Sequence, residues 1–182
     1  MKKRRMKLRP RFWVLLAIIV VFSISLLVNG QSQEGAKESS GCEVSAIDIS
    51  AEKDFYLNIP LSCELQEELY EACEEFGVDY YIMVALIDRE TKFMNVMGDG
   101  GNSYGYCQIQ PKWWYGLMVE IGATDLHIPK DNFRVGCAIL SRLMEKHNSI
   151  EGALVEYNQG YYKGSSTQYS REIIANADRY RA

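Results

Sequence analysis

Histidine is almost missing from this sequence, with two in 182 residues. The five cysteines (Cys42, Cys63, Cys73, Cys107 and Cys137) form no CxxC pair. These two gaps remove the usual zinc ligand sets, so no metal is expected. An odd number of cysteines leaves at least one thiol free. Cys73 and Cys137 fall on apolar helical faces and read as small buried hydrophobes, and no bridge is assigned. Positive charge is also scarce beside acid, except at the start. Of 20 Lys and Arg, seven crowd into MKKRRMKLRPR, residues 1–11, which leaves 13 against 24 Asp and Glu. The remainder is therefore near −11, a charge that excludes nucleic acid as the expected partner, because affinity for phosphates is built from cations. Internal repeats are absent as well.

Charge of either sign is missing from residues 12–28, FWVLLAIIVVFSISLLV. Seventeen residues lie at the short end of what crosses a bilayer as a helix. The basic tail before them predicts a cytoplasmic N-terminal side with everything after residue 28 outside. The alternative is a cleaved signal peptide, but VNGQSQ offers no good A-x-A site. An uncleaved anchor in the cytoplasmic membrane is the expectation, and either way the body is exported. Residues 29–61 then read as a linker, opening with the Gly-, Ser-, Gln- and Glu-rich stretch NGQSQEGAKESSGCEVS.

From Ser62 the apolar period turns helical. Ser62 is placed to cap a helix bearing Leu65, Leu69, Cys73 and Phe76, which stops at Gly77. Asp79 caps a second, with Ile82, Met83, Leu86, Ile87 and Glu90 on one face. The run GDGGNSYGYCQIQ reads as a loop or short β-hairpin with tight turns. Pro111 opens a helix carrying Trp113, Leu117 and Ile121. Asn132 reads as the cap of the next, Ser149 caps another ending near Gly160, and a last helix runs through Tyr169, Ile173, Ala177 and Tyr180. Residues 62–182 thus form a mostly helical domain large enough for its own core.

One residue breaks the logic of its stripe. Ile82, Leu86 and Glu90 stand four apart in MVALIDRETKF, so a carboxyl occupies the end of an apolar line. Desolvation there disfavours its ionised form, and the negative end of the helix dipole acts in the same sense. Both keep a proton on the group near neutral pH, the condition for a general acid. The bland reading is a rim residue paired with Arg89 or Lys92.

Three segments in order, ALIDRETKF, GYCQIQP and GALVEYNQG, resemble the motifs of the lytic transglycosylases with soluble-lytic-transglycosylase-like (SLT) domains, in the lysozyme-like superfamily. Asn132 and Gly136 also match the helix preceding the Tyr-Asn motif. The resemblance implies a mainly α, lysozyme-like fold with a very small β-hairpin, here preceded by a single transmembrane helix. It implies peptidoglycan as substrate, cut at the β-1,4 bond between N-acetylmuramic acid and N-acetylglucosamine with a 1,6-anhydro product, and no cofactor. Glu90 is implied as the catalytic acid. Gln108, Tyr157, Asn158 and Thr91 are implied around the substrate, with Tyr157 holding either Glu90 or the sugar. Tyr106, Cys107 and Glu156 depart from the family pattern, and Thr91 replaces a serine but keeps the hydroxyl.

Asp99 stays open between two readings. An Asp before Gly commonly forms a turn; in this loop it is also a candidate second carboxylate that positions water. The latter would make the protein a hydrolytic muramidase. A third reading is a non-catalytic module that binds glycan or scaffolds a secretion or conjugation machine. The expected location is the bacterial cell membrane, single-pass, with the catalytic domain on the wall side. Trp113-Trp114-Tyr115 and Tyr161-Tyr162 are aromatic clusters suited to sugar faces, with at least one Trp expected in the core.

Overall fold

A computed structural model describes residues 55–182. The basic tail, the apolar run at 12–28 and most of the expected linker lie outside the described residues. Among the described residues no helix is long and apolar enough to cross a membrane.

The described residues form six α-helices in order: α1 (Cys63–Phe76), α2 (Tyr80–Thr91), α3 (Pro111–Ile121), α4 (Pro129–His147), α5 (Ile150–Gln159) and α6 (Gln168–Arg181). Between α2 and α3 lies a small hairpin, β1 (Met97–Gly98) and β2 (Ser103–Tyr104). Its strands are antiparallel, Met97 opposite Tyr104 and Gly98 opposite Ser103, and a further bridge joins Tyr104 to Ile109. The mainly α architecture with a very small hairpin is as expected.

Local chemistry explains most of the boundaries. Ser62 accepts from the Leu65 N–H, Asp79 from Ile82 and Ser149 from Gly152, each satisfying one free amide of a first turn. Gly77, Gly122 and Gly160 close α1, α3 and α5 in the left-handed conformation. The second helix runs through the core: Ile82 through Ile87 are all buried. A helix apolar all round belongs inside a protein, and each of its larger side chains contributes roughly 1.5–3 kcal/mol by leaving water. The helices pack as α1 on α4, α2 on α6, and α5 on both α4 and α6.

Two expectations need correction. The domain begins before residue 62, because Ile59 and Leu61 are buried and Phe55 stacks on Tyr70. Buried Gln66 holds this segment through both amide groups, accepting from the Leu57 N–H and donating to the carbonyls of Leu57 and Leu61. Second, α4 starts at Pro129 with Ile128 as its cap, so Asn132 is the fourth helical residue and caps nothing. Proline, lacking an N–H and fixed in φ, takes the first helical position. Cys63, to which the sequence assigned no bridge, is disulfide-bonded. Cys73, Cys107 and Cys137 are buried free thiols, the first and last 3.8 Å apart between α1 and α4.

Candidate active site

The buried run of α2 ends at Ile87, and the chain turns charged at Asp88, Arg89 and Glu90. Asp88 is engaged outside, accepting from Lys92 and from the Tyr180 hydroxyl. Arg89 pairs with Glu172. Glu90 instead turns into a cleft of about 700 Å³ whose walls include Asp99, Gln108, Trp113, Tyr157 and Asn158. The cleft therefore gathers residues from α2, the hairpin segment, α3 and α5.

Glu90 is half-buried, and one strong partner meets it. The Tyr169 hydroxyl donates to Oε1 at 2.5 Å. Burial pushes the Glu90 carboxyl above the usual range, the Tyr169 hydroxyl and the Arg89 charge oppose that rise, and the Asp99 charge adds to it. The balance is upward: Glu90 holds its proton to a higher pH than an exposed glutamate. Glu156, also on the cleft wall, is the reverse case. Burial acts to raise it, but Lys146 and His147 hydrogen-bond to it and hold it below the ordinary range. One carboxyl in the cleft is thus tuned as an acid, and another is neutralised as an ion.

Tyr169 was visible in the sequence only as part of the α6 stripe. A buried tyrosine needs a partner for its hydroxyl, and that requirement was the available signal. The partner lies 79 residues away, so only the docking of α6 on α2 reveals it.

Tyr157, expected to hold Glu90 or the sugar, lines the cleft but donates its hydroxyl to the Cys107 carbonyl at 2.8 Å. It braces the loop opposite α2. Asn158 lies exposed on the cleft wall. Gln108 has φ 50°, in the left-handed region, and its Nε2 donates to the carbonyls of Val96 and Gly105 at 3.1 and 2.9 Å. Two carbonyl acceptors fix the orientation of the amide, leaving Oε1 as its remaining polar atom. That oxygen packs so close to Gly98 that a β-carbon there would lie 2.0 Å from it. Thr91 departs from its expected place among the substrate contacts. It is buried, with Oγ1 bridging the Ile87 and Tyr106 carbonyls at 3.2 and 3.1 Å. It ties the end of α2 to the loop and so positions Glu90.

Asp99 stands both at a turn and on the cleft wall. It begins the 3-10 turn of the hairpin with φ 49°. Its Oδ2 accepts from Gln110 Nε2 at 2.8 Å and Ser103 Oγ at 3.1 Å, and it lines the same cleft as Glu90. The side chain is thus fixed at the cleft, which a turn alone would not require. Trp114 is the half-buried member of the Trp pair; Trp113, expected on the apolar stripe of α3, is 68% exposed.

Asn132 sets the position of the whole loop. Fully buried, it accepts from the Cys107 N–H at 2.9 Å and donates to the carbonyls of Tyr104 and Leu126 at 2.9 and 3.0 Å. Gly136, one turn on, lets the loop approach α4: a β-carbon there would meet Cys107 Sγ at 2.7 Å. Among the described residues, no cluster of His, Cys, Asp and Glu is arranged to hold a metal.

Comparison with known proteins bears on the family and the fold. The model of the Transglycosylase SLT domain matches residues 69–174, more than half of the chain. No curated protein matches. Among solved structures, an inactive mutant of the lytic transglycosylase Slt from Pseudomonas aeruginosa shares the fold, with a TM-score of 0.55 and 19% identity. The match covers 63% of this chain and 23% of that one, so the present protein corresponds to less than a quarter of Slt.

Proposed function

The chain belongs to the SLT-domain transglycosylase family, and on that premise we propose that it is a peptidoglycan lytic transglycosylase with Glu90 as its acid and base. The observation that carries the reading is a single carboxyl, raised by burial, at the wall of an open cleft and aimed by Tyr169.

Two half-reactions follow from one residue. Protonated Glu90 gives its proton to the oxygen linking N-acetylmuramic acid to N-acetylglucosamine, and the C1–O bond breaks. The substrate's own N-acetyl oxygen supports C1 as the leaving group departs. Glu90, now a carboxylate, takes the proton of the muramic C6 hydroxyl. O6 attacks C1, the acetamido oxygen is released, and a 1,6-anhydro ring closes. Tyr169 suits both states, because its hydroxyl steadies the carboxylate between the steps. The carbonyl-anchored loop at Gln108, together with Asn158, offers polar contacts to the sugars.

A second reading has its own observation. It is supported by Asp99, which Gln110 and Ser103 hold on the cleft wall and which in this reading orients a water. Water in place of O6 gives hydrolysis, with the pair of carboxyl groups that ordinary glycosidases use.

We also propose that residues 12–28 anchor the protein in the cytoplasmic membrane with the catalytic domain on the wall side. The basic tail and the uncharged run support this reading. A small tethered wall enzyme suits local opening of the wall for a secretion or conjugation machine, and equally general turnover. The test of the activity is clearing of purified peptidoglycan by the wild-type protein and by Glu90→Gln. Clearing that survives the substitution removes Glu90 as the acid; a wild-type protein that binds but never clears is a scaffold.

A further inference from the structure

The core holds a pair of thiols that the chemistry of the cleft does not use. Cys73 on α1 and Cys137 on α4 are 1% and 0% exposed. Their Sγ atoms meet at 3.8 Å, although 64 residues separate them along the chain. Polar bonds on either side of the pair fix the two helices in register. On the turn before Cys137, Arg134 grips the Glu75 carboxylate through two nitrogens at 2.7 and 2.6 Å. On the turn after it, Ser141 donates to the Phe76 carbonyl at 2.8 Å. The sulfur of the third buried thiol, Cys107, packs instead against Gly136.

Two observations point to a bond between the first two. A disulfide needs its sulfurs roughly 2.05 Å apart, so a closure of roughly 2 Å, shared between two side chains on helices already held together, is enough. The domain also carries a disulfide at Cys63. Such bonds persist in an oxidising setting and are rare in a reducing cytosol. The same setting acts on any other two thiols that can reach each other.

We infer that Cys73 and Cys137 are joined by a second disulfide in the exported protein, stapling α1 to α4. The inference rests on the reading that the body lies outside the cytoplasm. The bond forms before the core closes. In the folded domain both sulfurs are sealed, and burial pushes the Cys137 thiol well up, away from the reactive thiolate. In the emerging chain one cysteine thiolate attacks the disulfide of an exported thiol oxidoreductase, giving a mixed disulfide and releasing one thiol of that protein. The second cysteine thiolate attacks the first cysteine's sulfur, forms the Cys73–Cys137 bond and releases the other thiol. The two cysteines give up two electrons and two protons, and the incoming disulfide takes them. The staple has a place in the architecture of the site. The helix α4 also bears Asn132 and Gly136, which seat the loop carrying Gln108, and the bond would hold that seat to α1.

The test uses the full-length chain, exported by its own N-terminal segment, trapped in acid, denatured and alkylated without reductant. Digestion and mass spectrometry then read every cysteine, beside a sample reduced first. The expected result is a linked pair of peptides containing Cys73 and Cys137, two hydrogens lighter than their sum and abolished by reductant, with Cys107 alkylated. Alkylation of Cys73 and Cys137 while Cys63 stays bridged would overturn the inference and leave export standing. Alkylation of Cys63 as well would remove both. A bond from Cys137 to Cys107 would also overturn it. Denaturant unfolding gives a second readout, comparing wild type with the double variant Cys73→Ala/Cys137→Ala, each with and without reductant. Closing a loop of this length makes unfolding about thirtyfold to a thousandfold less favourable. Reductant should therefore raise the unfolding constant of wild type by about that factor more than it raises the variant's. An equal rise in both would contradict the staple.

Discussion

Removing the Tyr169 hydroxyl asks the most of the proposed chemistry. Tyr169→Phe keeps the ring that fills the space between α6 and α2 and deletes one bond, the 2.5 Å contact to Glu90 Oε1. That bond is worth about 1.5–3 kcal/mol to an ionised carboxylate and about 0.5–1.5 kcal/mol to a neutral partner. The loss therefore falls mostly on the state after Glu90 has given up its proton, when it must act as the base. Converted at about 1.4 kcal/mol per decade, the rate should drop roughly ten- to a hundredfold. The pH dependence carries a second signature. Glu90 is already raised by burial, and the Tyr169 bond opposes the rise. Without it Glu90 keeps its proton to still higher pH, so the alkaline limb of the pH–rate profile moves upward even as the maximum falls. Initial rates of peptidoglycan clearing across the pH range, beside a melting curve at each pH, measure both effects. An alkaline limb that stays put or moves down, with the protein folded, refutes the coupling between Tyr169 and Glu90.

Glu90→Gln should abolish clearing and also change stability with a definite sign. The folded carboxyl titrates above its unfolded value, so wild type and variant should melt alike well below about pH 4, where both forms of the acid are neutral. As pH rises through the folded value, wild type loses stability that the amide keeps. A melting-temperature gap that shrinks towards neutral pH contradicts the burial argument. Asn132→Ala strands a buried N–H and two carbonyls; at about 1–3 kcal/mol per unsatisfied group, a loss of at least roughly 3 kcal/mol is expected in urea unfolding. A loss under about 1 kcal/mol would show that the loop relaxes freely. Gly136→Ala forces a methyl onto Cys107 Sγ and should cost about 1–3 kcal/mol. Combined with Cys107→Ala the cost should be less than additive, and strict additivity in a double-mutant cycle rejects the contact.

Local signals made most of the helices legible. Ser62, Asp79 and Ser149 cap where the sequence places them, because a capping oxygen finds its amide within three residues. Glu90 stood out for a similar reason: a four-residue period shows which face a side chain shares with its neighbours. Residues whose partners lie far along the chain were misread or missed. Asn132 resembles a cap, yet its partners include the Cys107 amide and the Tyr104 carbonyl, 25 and 28 residues away. Thr91 carries a hydroxyl suited to a sugar, yet the loop docks over it and takes the bond inside. Tyr169 belongs to a helix that no motif connected to the acid. Trp113 fell on a stripe by period, but α3 turns Leu117 and Met118 inward and leaves the indole outside.

The most direct test of the central claim is the mass of the products released from purified peptidoglycan by the wild-type protein. A transglycosylase acting through Glu90 alone yields fragments ending in 1,6-anhydromuramic acid, each lighter by one water than its hydrolytic counterpart and lacking a reducing end. Those masses should dominate, and they should persist in Asp99→Asn. Fragments ending in ordinary reducing muramic acid, lost when Asp99 is changed, would contradict the account and make water, oriented by Asp99, the acceptor.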